Sequence, residues 1–249
     1  MKRIFGLLLV VLLAVDLSGC ASLLSQQKEE HAQVVNHVRA STVALVASVD
    51  DKVHVFCSGV WVDSDSILTA NHCMQGLADI QSRQQKTLIA PMGVKVHYVL
   101  ENEVQNVGEE PTGIHLGTAV FLDSKHDLAL IHADGNAIPK HGIIKLAPKT
   151  PPVSDRLYIV GHQTGLYFTF MEGVAAAYRK NFDEIGVDIS GPFLQIQSDV
   201  FFGNSGGGAF NTDGELVGIA SFLMRAPGMS YFIHVETIRT FLKDAKVIS

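Results

Sequence analysis

Three short segments carry side chains whose types could perform acyl transfer: Thr69-Ala70-Asn71-His72-Cys73, His126-Asp127-Leu128-Ala129-Leu130 and Gly203-Asn204-Ser205-Gly206-Gly207. A serine hydroxyl is a weak nucleophile until an imidazole takes its proton, and the imidazole is useful only if a buried carboxylate fixes its tautomer. His72, Asp127 and Ser205 supply the three groups, in that chain order. Gly203 and Gly206 flank the serine segment and allow a sharp turn, so that the amide N–H groups of Gly203 and Ser205 can point at one oxyanion. Asp127 precedes the unbroken apolar run Leu128 to Ile131, which suits the start of a buried strand.

Other readings of these residues meet obstacles. The serine segment also satisfies G-x-S-x-G, the nucleophile elbow of α/β-hydrolases, but that fold needs the order Ser, acid, His and a helix after the serine. Here residues 209–221 read as a hairpin, and only 44 residues follow Ser205. A phosphate-cradling glycine loop needs a lysine after its glycines, and none follows. His54, His97, His115, His132, His141, His162 and His234 show no His-x-His or His-x-x-x-His pairing, so no metal site is expected. The chemistry requires no cofactor. His126 and Trp61 read as structural.

The elements that must position these groups are short β-rich runs punctuated by glycine and polar turns: 42–49, 54–62, 67–70, 87–100, 114–122, 128–132, 157–160, 167–178, 193–197, 216–223 and 229–234. Strands at this spacing, with almost no helical periodicity between them, predict an all-β sandwich or barrel. Asn211-Thr212-Asp213-Gly214 reads as a hairpin turn, since Asp and Gly tolerate positive φ. Val235, Ile238, Phe241, Leu242 and Ala245 fall on one helical face and predict a last helix over about 235–247. Residues 139–153, with Pro139, Pro148, Pro151 and Pro152, form the best link between an N-terminal lobe (about 34–138) and a C-terminal lobe (about 154–234).

Composition agrees with a folded body. Of the 249 residues 47% are apolar and 18% charged, which excludes a disordered chain or a coiled coil. A net charge of −6 argues against nucleic acid as a partner, because a phosphate-backbone binder needs a basic surface. Three cysteines leave one unpaired, and an odd thiol in an exported protein needs an explanation. The N-terminus offers one. Lys2 and Arg3 precede an apolar run from Ile4 to Val15 that is too short to span a bilayer as a helix, so residues 1–19 read as a signal peptide. Leu17-Ser18-Gly19-Cys20 resembles the lipobox of bacterial lipoproteins, which implies acylation of Cys20 and a membrane anchor. Residues 20–33 then read as a lipidated tether, whose thirteen residues after the cysteine reach at most roughly 45 Å when extended.

Taken together, the histidine, aspartate and serine segments resemble the landmarks T-A-x-H-C, D-[IL]-A-L and G-[DN]-S-G-G of chymotrypsin-fold serine proteases. The resemblance implies two six-stranded antiparallel β-barrels with a C-terminal helix over residues 34–249. It implies His72, Asp127 and Ser205 as the catalytic residues, with Gly203 and Ser205 forming the oxyanion hole. It further implies a disulfide between Cys57 and Cys73, sixteen residues apart. Details are similar to bacterial HtrA-like (Deg) peptidases. Tyr158 to Gly165 resembles their G-x-P-x-G stretch, with Gln163 in place of the proline, and Glu215 to Ser221 resembles the strand after the nucleophile. The chain ends after the last helix, so a PDZ domain is not expected. Asn204 occupies the position where digestive relatives have the aspartate that buries a new N-terminus, and no Ile-Val-Gly-Gly occurs, so activation by clipping is not expected.

Specificity has two readings. Asp199, six residues before Ser205, stands where trypsin-like relatives place the acid that binds a basic P1 side chain. Gln197-Ser198-Asp199 also resembles the Q-[ST]-D that opens this loop in HtrA-like proteins, where it is structural. Ser221, Phe222 and Leu223 complete the candidate pocket, and a bulky Leu223 would shorten it toward a small or medium apolar P1 residue. The resulting expectation is an exported, lipid-anchored serine endopeptidase acting on protein or peptide, facing the periplasm from the outer membrane. The alternatives are a protease-fold lipoprotein that only binds, its pocket closed, and a membrane-tethered esterase.

Overall fold

The computed structural model describes residues 22–49, 52–105, 110–135, 142–180 and 189–223, and 228–249. The predicted signal peptide, Cys20 and His141 lie outside the described residues. Six strands, β1 (Thr42–Val49), β2 (Lys52–Trp61), β3 (Ser66–Ala70), β4 (Lys95–Val99), β5 (His115–Asp123) and β6 (Leu128–Ala133), close a barrel in the order β1-β2-β3-β6-β5-β4. Six more, β7 (Arg156–Gly161), β8 (Thr169–Arg179), β9 (Phe193–Gln197), β10 (Gly208–Phe210), β11 (Leu216–Leu223) and β12 (Met229–His234), repeat that order as β7-β8-β9-β12-β11-β10. Every pairing between these twelve strands is antiparallel. The two six-stranded barrels and the final helix are the architecture that the resemblance implied.

Each barrel fills its own interior. Leu45, Trp61, Ile67, Tyr98 and Ile131 centre the first, and Leu157, Ile159, Leu194, Ile196 and Phe232 the second. A third cluster joins the barrels: Val60, Leu68, Leu128 and Leu130 from the first meet Val160, Phe193, Phe210 and Ile219 from the second. The segment between the barrels adds backbone ties to both. Ile144 N–H donates to Trp61 O at 2.9 Å, while Ala147 N–H donates to Leu216 O and Leu216 N–H to Lys145 O.

Among the described residues, three α-helices decorate this frame. Helix α3 (Val235–Asp244) buries Val235, Ile238, Phe241 and Leu242, the face expected from the sequence, and the last three belong to the shared cluster. Its first turn is capped by His234, whose ring accepts from Glu236 N–H. Helix α1 (22–40) takes in most of the segment 20–33 that reads as a tether in the sequence. Its N-terminal half is exposed, but Val38 is buried among the inter-barrel residues and His31 Nδ1 lies 3.0 Å from the Tyr158 hydroxyl. Helix α2 (Asn71–Gln85) is a correction, since an almost purely β pattern was expected there. Cys73, Met74, Leu77 and Ala78 are its buried stripe, and this i, i+1, i+4, i+5 spacing is the helical signal that the β reading passed over. The run read as one strand over 87–100 is correspondingly reduced to Lys95–Val99.

Candidate active site

His72 is the second residue of α2, directly after β3, and Asp127 ends the turn that enters β6. Strands β3 and β6 pair Ala70 with Leu128, which brings the two chemical residues side by side. Asp127 adopts φ 57°, an uncommon value for a residue with a Cβ, and its own carbonyl accepts from Asn71 N–H at 3.0 Å. The carboxylate is buried and grips the histidine twice. Oδ1 accepts from His72 N–H at 2.9 Å, and Oδ2 lies 2.9 Å from Nδ1. A third bond comes from the other barrel: the Ser221 hydroxyl donates to Oδ2 at 2.5 Å. With the carboxylate ionised, these bonds assign the Nδ1–H tautomer to His72 and leave Nε2 free to accept a proton. The His72 ring is 41% exposed while Asp127 is 3% exposed, so the pair presents its imidazole and hides its charge.

Ser205 lies on the tight loop between β9 and β10, and that loop is held from both barrels. Ser58 N–H donates to Ser205 O at 2.8 Å, and Gly206 N–H donates to Ala220 O at 2.8 Å. Gly206 takes φ 82°, and a Cβ there would fall 2.1 Å from Thr69 Oγ1 and 2.2 Å from Ser58 O, so only glycine fits. Gly203 takes φ 97°, and a Cβ there would meet His162 O at 2.2 Å. Phe202 O accepts from Thr164 N–H at 2.8 Å, which directs the Gly203 N–H of the same trans peptide away from that turn. Among the described residues, neither the Gly203 nor the Ser205 amide donates within the chain.

His72, Ser205, Gly203, Ser221 and Phe222 all line one cleft of about 500 Å³, together with the Cys57–Cys73 disulfide. The disulfide implied by the resemblance is present and links β2 to the first turn of α2. One end of the cleft is walled by Val200, Ala220, Phe222, Ser230, Tyr231 and Phe232, a largely apolar set. Phe222 stacks on Tyr231 with ring centroids 5.0 Å apart. The other end runs over Phe56, Gly76 and Ile80, with the exposed Phe202 at the lip.

Asp199 departs from the pocket reading. It is exposed and is not among the residues lining the cleft, whose wall begins at its neighbour Val200. Ser221 does line the cleft, but its hydroxyl is committed to Asp127, a role the sequence reading did not give it. A lone serine in the apolar run 216–223 was the available signal, because a buried hydroxyl needs a partner. The Leu223 side chain lies outside the described residues. Cys57, His72 and Cys73 bring ligand-type atoms within 4.8 Å of one another, but the two sulfurs are spent on their mutual bond. Two buried polar residues, Ser58 and His162, also escaped the sequence reading as parts of the site's support.

Comparison with known proteins follows this geometry. A family model described as a trypsin-like peptidase domain matches residues 57–219. The mitochondrial serine protease HTRA2 of Drosophila pseudoobscura pseudoobscura is 30% identical over 128 residues, covering 50% of this chain and 29% of that relative. Serine protease HTR4 of Bos taurus is 30% identical over 152 residues, covering 59% of this chain and 30% of that relative. This chain therefore spans less than a third of the length of these curated relatives. Among solved structures, the HtrA-type protease AlgW with tripeptide superposes with TM-score 0.66 at 18% identity, covering 86% of this chain and 62% of that one. The serine endoprotease from Yersinia pestis gives TM-score 0.61 at 21% identity, with 86% and 65% coverage. Both structural likenesses concern the fold. Since the family model takes in both the histidine and the serine segments and most of both barrels, the chain belongs to the family of trypsin-like peptidase domains.

Proposed function

We propose that the protein is a serine endopeptidase in which Ser205 attacks the scissile carbonyl carbon and forms an acyl-enzyme. His72 Nε2 takes the hydroxyl proton and returns it to the leaving amine, after which water attacks the acyl group by the same route. Asp127 keeps the imidazole in its Nδ1–H tautomer and stabilises the imidazolium that forms. The Gly203 and Ser205 amides receive the oxyanion. The observation that carries this reading is the Asp127 carboxylate, buried and bonded at once to the His72 ring, the His72 amide and the Ser221 hydroxyl, behind an imidazole that shares a cleft with Ser205.

The free Gly203 and Ser205 amides favour an enzyme over a closed, binding-only relative. The apolar wall formed by Val200, Phe222, Tyr231 and Phe232 supports a small or medium apolar P1 side chain, and the exposed position of Asp199 speaks against a basic one. The chain is exported and held at the membrane through acylated Cys20, with its catalytic body in the periplasm. A panel of internally quenched peptides varied at P1 tests the chemistry and the pocket together. Cleavage after Ala or Val that disappears in Ser205→Ala is the expected result. Fastest cleavage after Lys or Arg overturns the pocket assignment, and cleavage undiminished in Ser205→Ala overturns the mechanism.

A further inference from the structure

Within the loop that carries Gly203, Asn204 N–H donates to Phe201 O at 3.2 Å, a long bond across the glycine. Glycine at φ 97° has no Cβ to resist rotation, so the peptides on either side of it turn easily. Their orientation decides whether the Gly203 N–H faces a reacting carbonyl. Two bonds from outside the loop restrain them. Thr164 N–H holds Phe202 O at 2.8 Å, and the Ser58 hydroxyl donates to Gly203 O at 2.8 Å.

Ser58 is itself oriented. Its single proton goes to the Gly203 carbonyl, which can only accept, so the contact of 2.8 Å between Ser58 Oγ and His162 Nδ1 must be a donation from the ring N–H. His162 is fully buried, seated edge-on to Phe168 with ring centroids 4.5 Å apart, and its Nε2 has no partner among the described residues. A buried imidazole with one nitrogen unsatisfied incurs a desolvation cost. Among the described residues, the hydrogen-bond partner of the His162 ring is the Ser58 hydroxyl. Gln163 adds a further contact, its Oε1 lying 3.4 Å from Asn204 Nδ2.

We infer that His162 is a positioning residue for the oxyanion hole: through Ser58 it fixes the peptide carbonyl of Gly203, and with Thr164 it keeps the Gly203 N–H aimed into the cleft. The inference rests on the acyl-transfer reading of Ser205. His162 touches no reacting atom, so its effect is on stabilisation of the tetrahedral intermediate and not on substrate binding. Burial pushes its pKa down to about 3, so the ring stays neutral and keeps this bond pattern through the whole range in which such an enzyme works.

Two nearly isosteric variants separate this role from simple packing. His162→Asn offers an amide N–H near the position of Nδ1, whereas His162→Leu has a similar shape and no donor. Each is assayed for kcat and KM on a peptide substrate, and for affinity toward a peptide boronic acid, which adds to a serine as an anionic tetrahedral adduct. Affinity for the matching peptide carboxylate product serves as the ground-state control. The expected result for His162→Leu is a loss of about 10- to 100-fold in kcat and in boronate affinity, somewhat less than deletion of an oxyanion donor, with KM and product affinity little changed. His162→Asn recovers most of both. If His162→Leu does not fold, Ser58→Ala severs the same relay from its other end and carries the same expectation. Unchanged kcat and boronate affinity in the donor-free variant, or equal impairment by Asn and Leu, overturns the inference. A wild-type protein that forms no boronate adduct at Ser205 overturns the acyl-transfer reading and this inference with it, whereas an adduct formed equally by every variant overturns this inference alone.

Discussion

At the scale of single residues, the site depends on two buried polar groups that face each other's needs. Asp127 has three donors, and removing its charge while keeping its shape changes which nitrogen of His72 carries the proton. Asp127→Asn is expected to leave the fold intact and lower kcat by about 10³- to 10⁴-fold, measured by steady-state hydrolysis alongside circular dichroism. Ser221→Ala removes one donor to the same carboxylate and is expected to destabilise the protein by about 1–3 kcal/mol in urea titration, with a smaller loss of kcat. The buried His162 adds a pH signature. Its pKa falls from 6.5 to about 3 on folding, so between those values the unfolded chain binds more protons than the native one. Stability from this group is therefore full above about pH 6.5 and is lost as pH falls toward 3, at up to about 1.4 kcal/mol per pH unit. Urea midpoints compared across that window should show a shallower acid slope in His162→Asn than in the wild type.

At the scale of elements, the site is assembled by connections more than by regular structure. His72 opens a helix, Asp127 sits in a left-handed turn, and Ser205 rides a loop whose glycines admit backbone contacts that no Cβ could survive. The Cys57–Cys73 bond ties β2 to the histidine helix across sixteen residues, and loop closure of that length contributes about 3 kcal/mol. A double substitution of both cysteines by alanine should lower stability by about that amount in denaturant titration, and a difference within error of zero would argue against the closure account. The disulfide, the barrels and the pairing of His72 with Asp127 were legible in the sequence because their local letters are dense and ordered. Helix α1 was not, since its one strongly buried contact, Val38, lies beyond the polar stretch that suggested a tether. Helix α2 was hidden by its position directly after a strand and by the β-rich surroundings. The role of Ser221 and the His162–Ser58–Gly203 chain could not be read at all, because their partners are 94 to 145 residues apart and meet only when the barrels dock.

At the scale of the whole molecule, the cleft exists only while both barrels are seated against each other. The cluster that joins them includes Phe241 of α3, so a change far from the chemistry should act on the entire unit. Phe241→Ala is expected to cost about 3–5 kcal/mol and still unfold in one transition by calorimetry; two separated transitions would mean that the barrels are independent. Among the described residues no helix is long and apolar enough to cross a membrane. The proposed attachment through an acylated Cys20 has its own test. Cys20→Ser should move the protein from the membrane fraction to the soluble fraction without loss of specific activity. The central claim is that one hydroxyl in this cleft is the nucleophile. The most direct measurement is reaction of the wild-type protein with a fluorophosphonate, followed by peptide mapping of the modified residue. The account predicts a single adduct on Ser205 that is lost in Ser205→Ala and strongly slowed in His72→Ala; an adduct that persists in Ser205→Ala, or that maps to another residue, would contradict it.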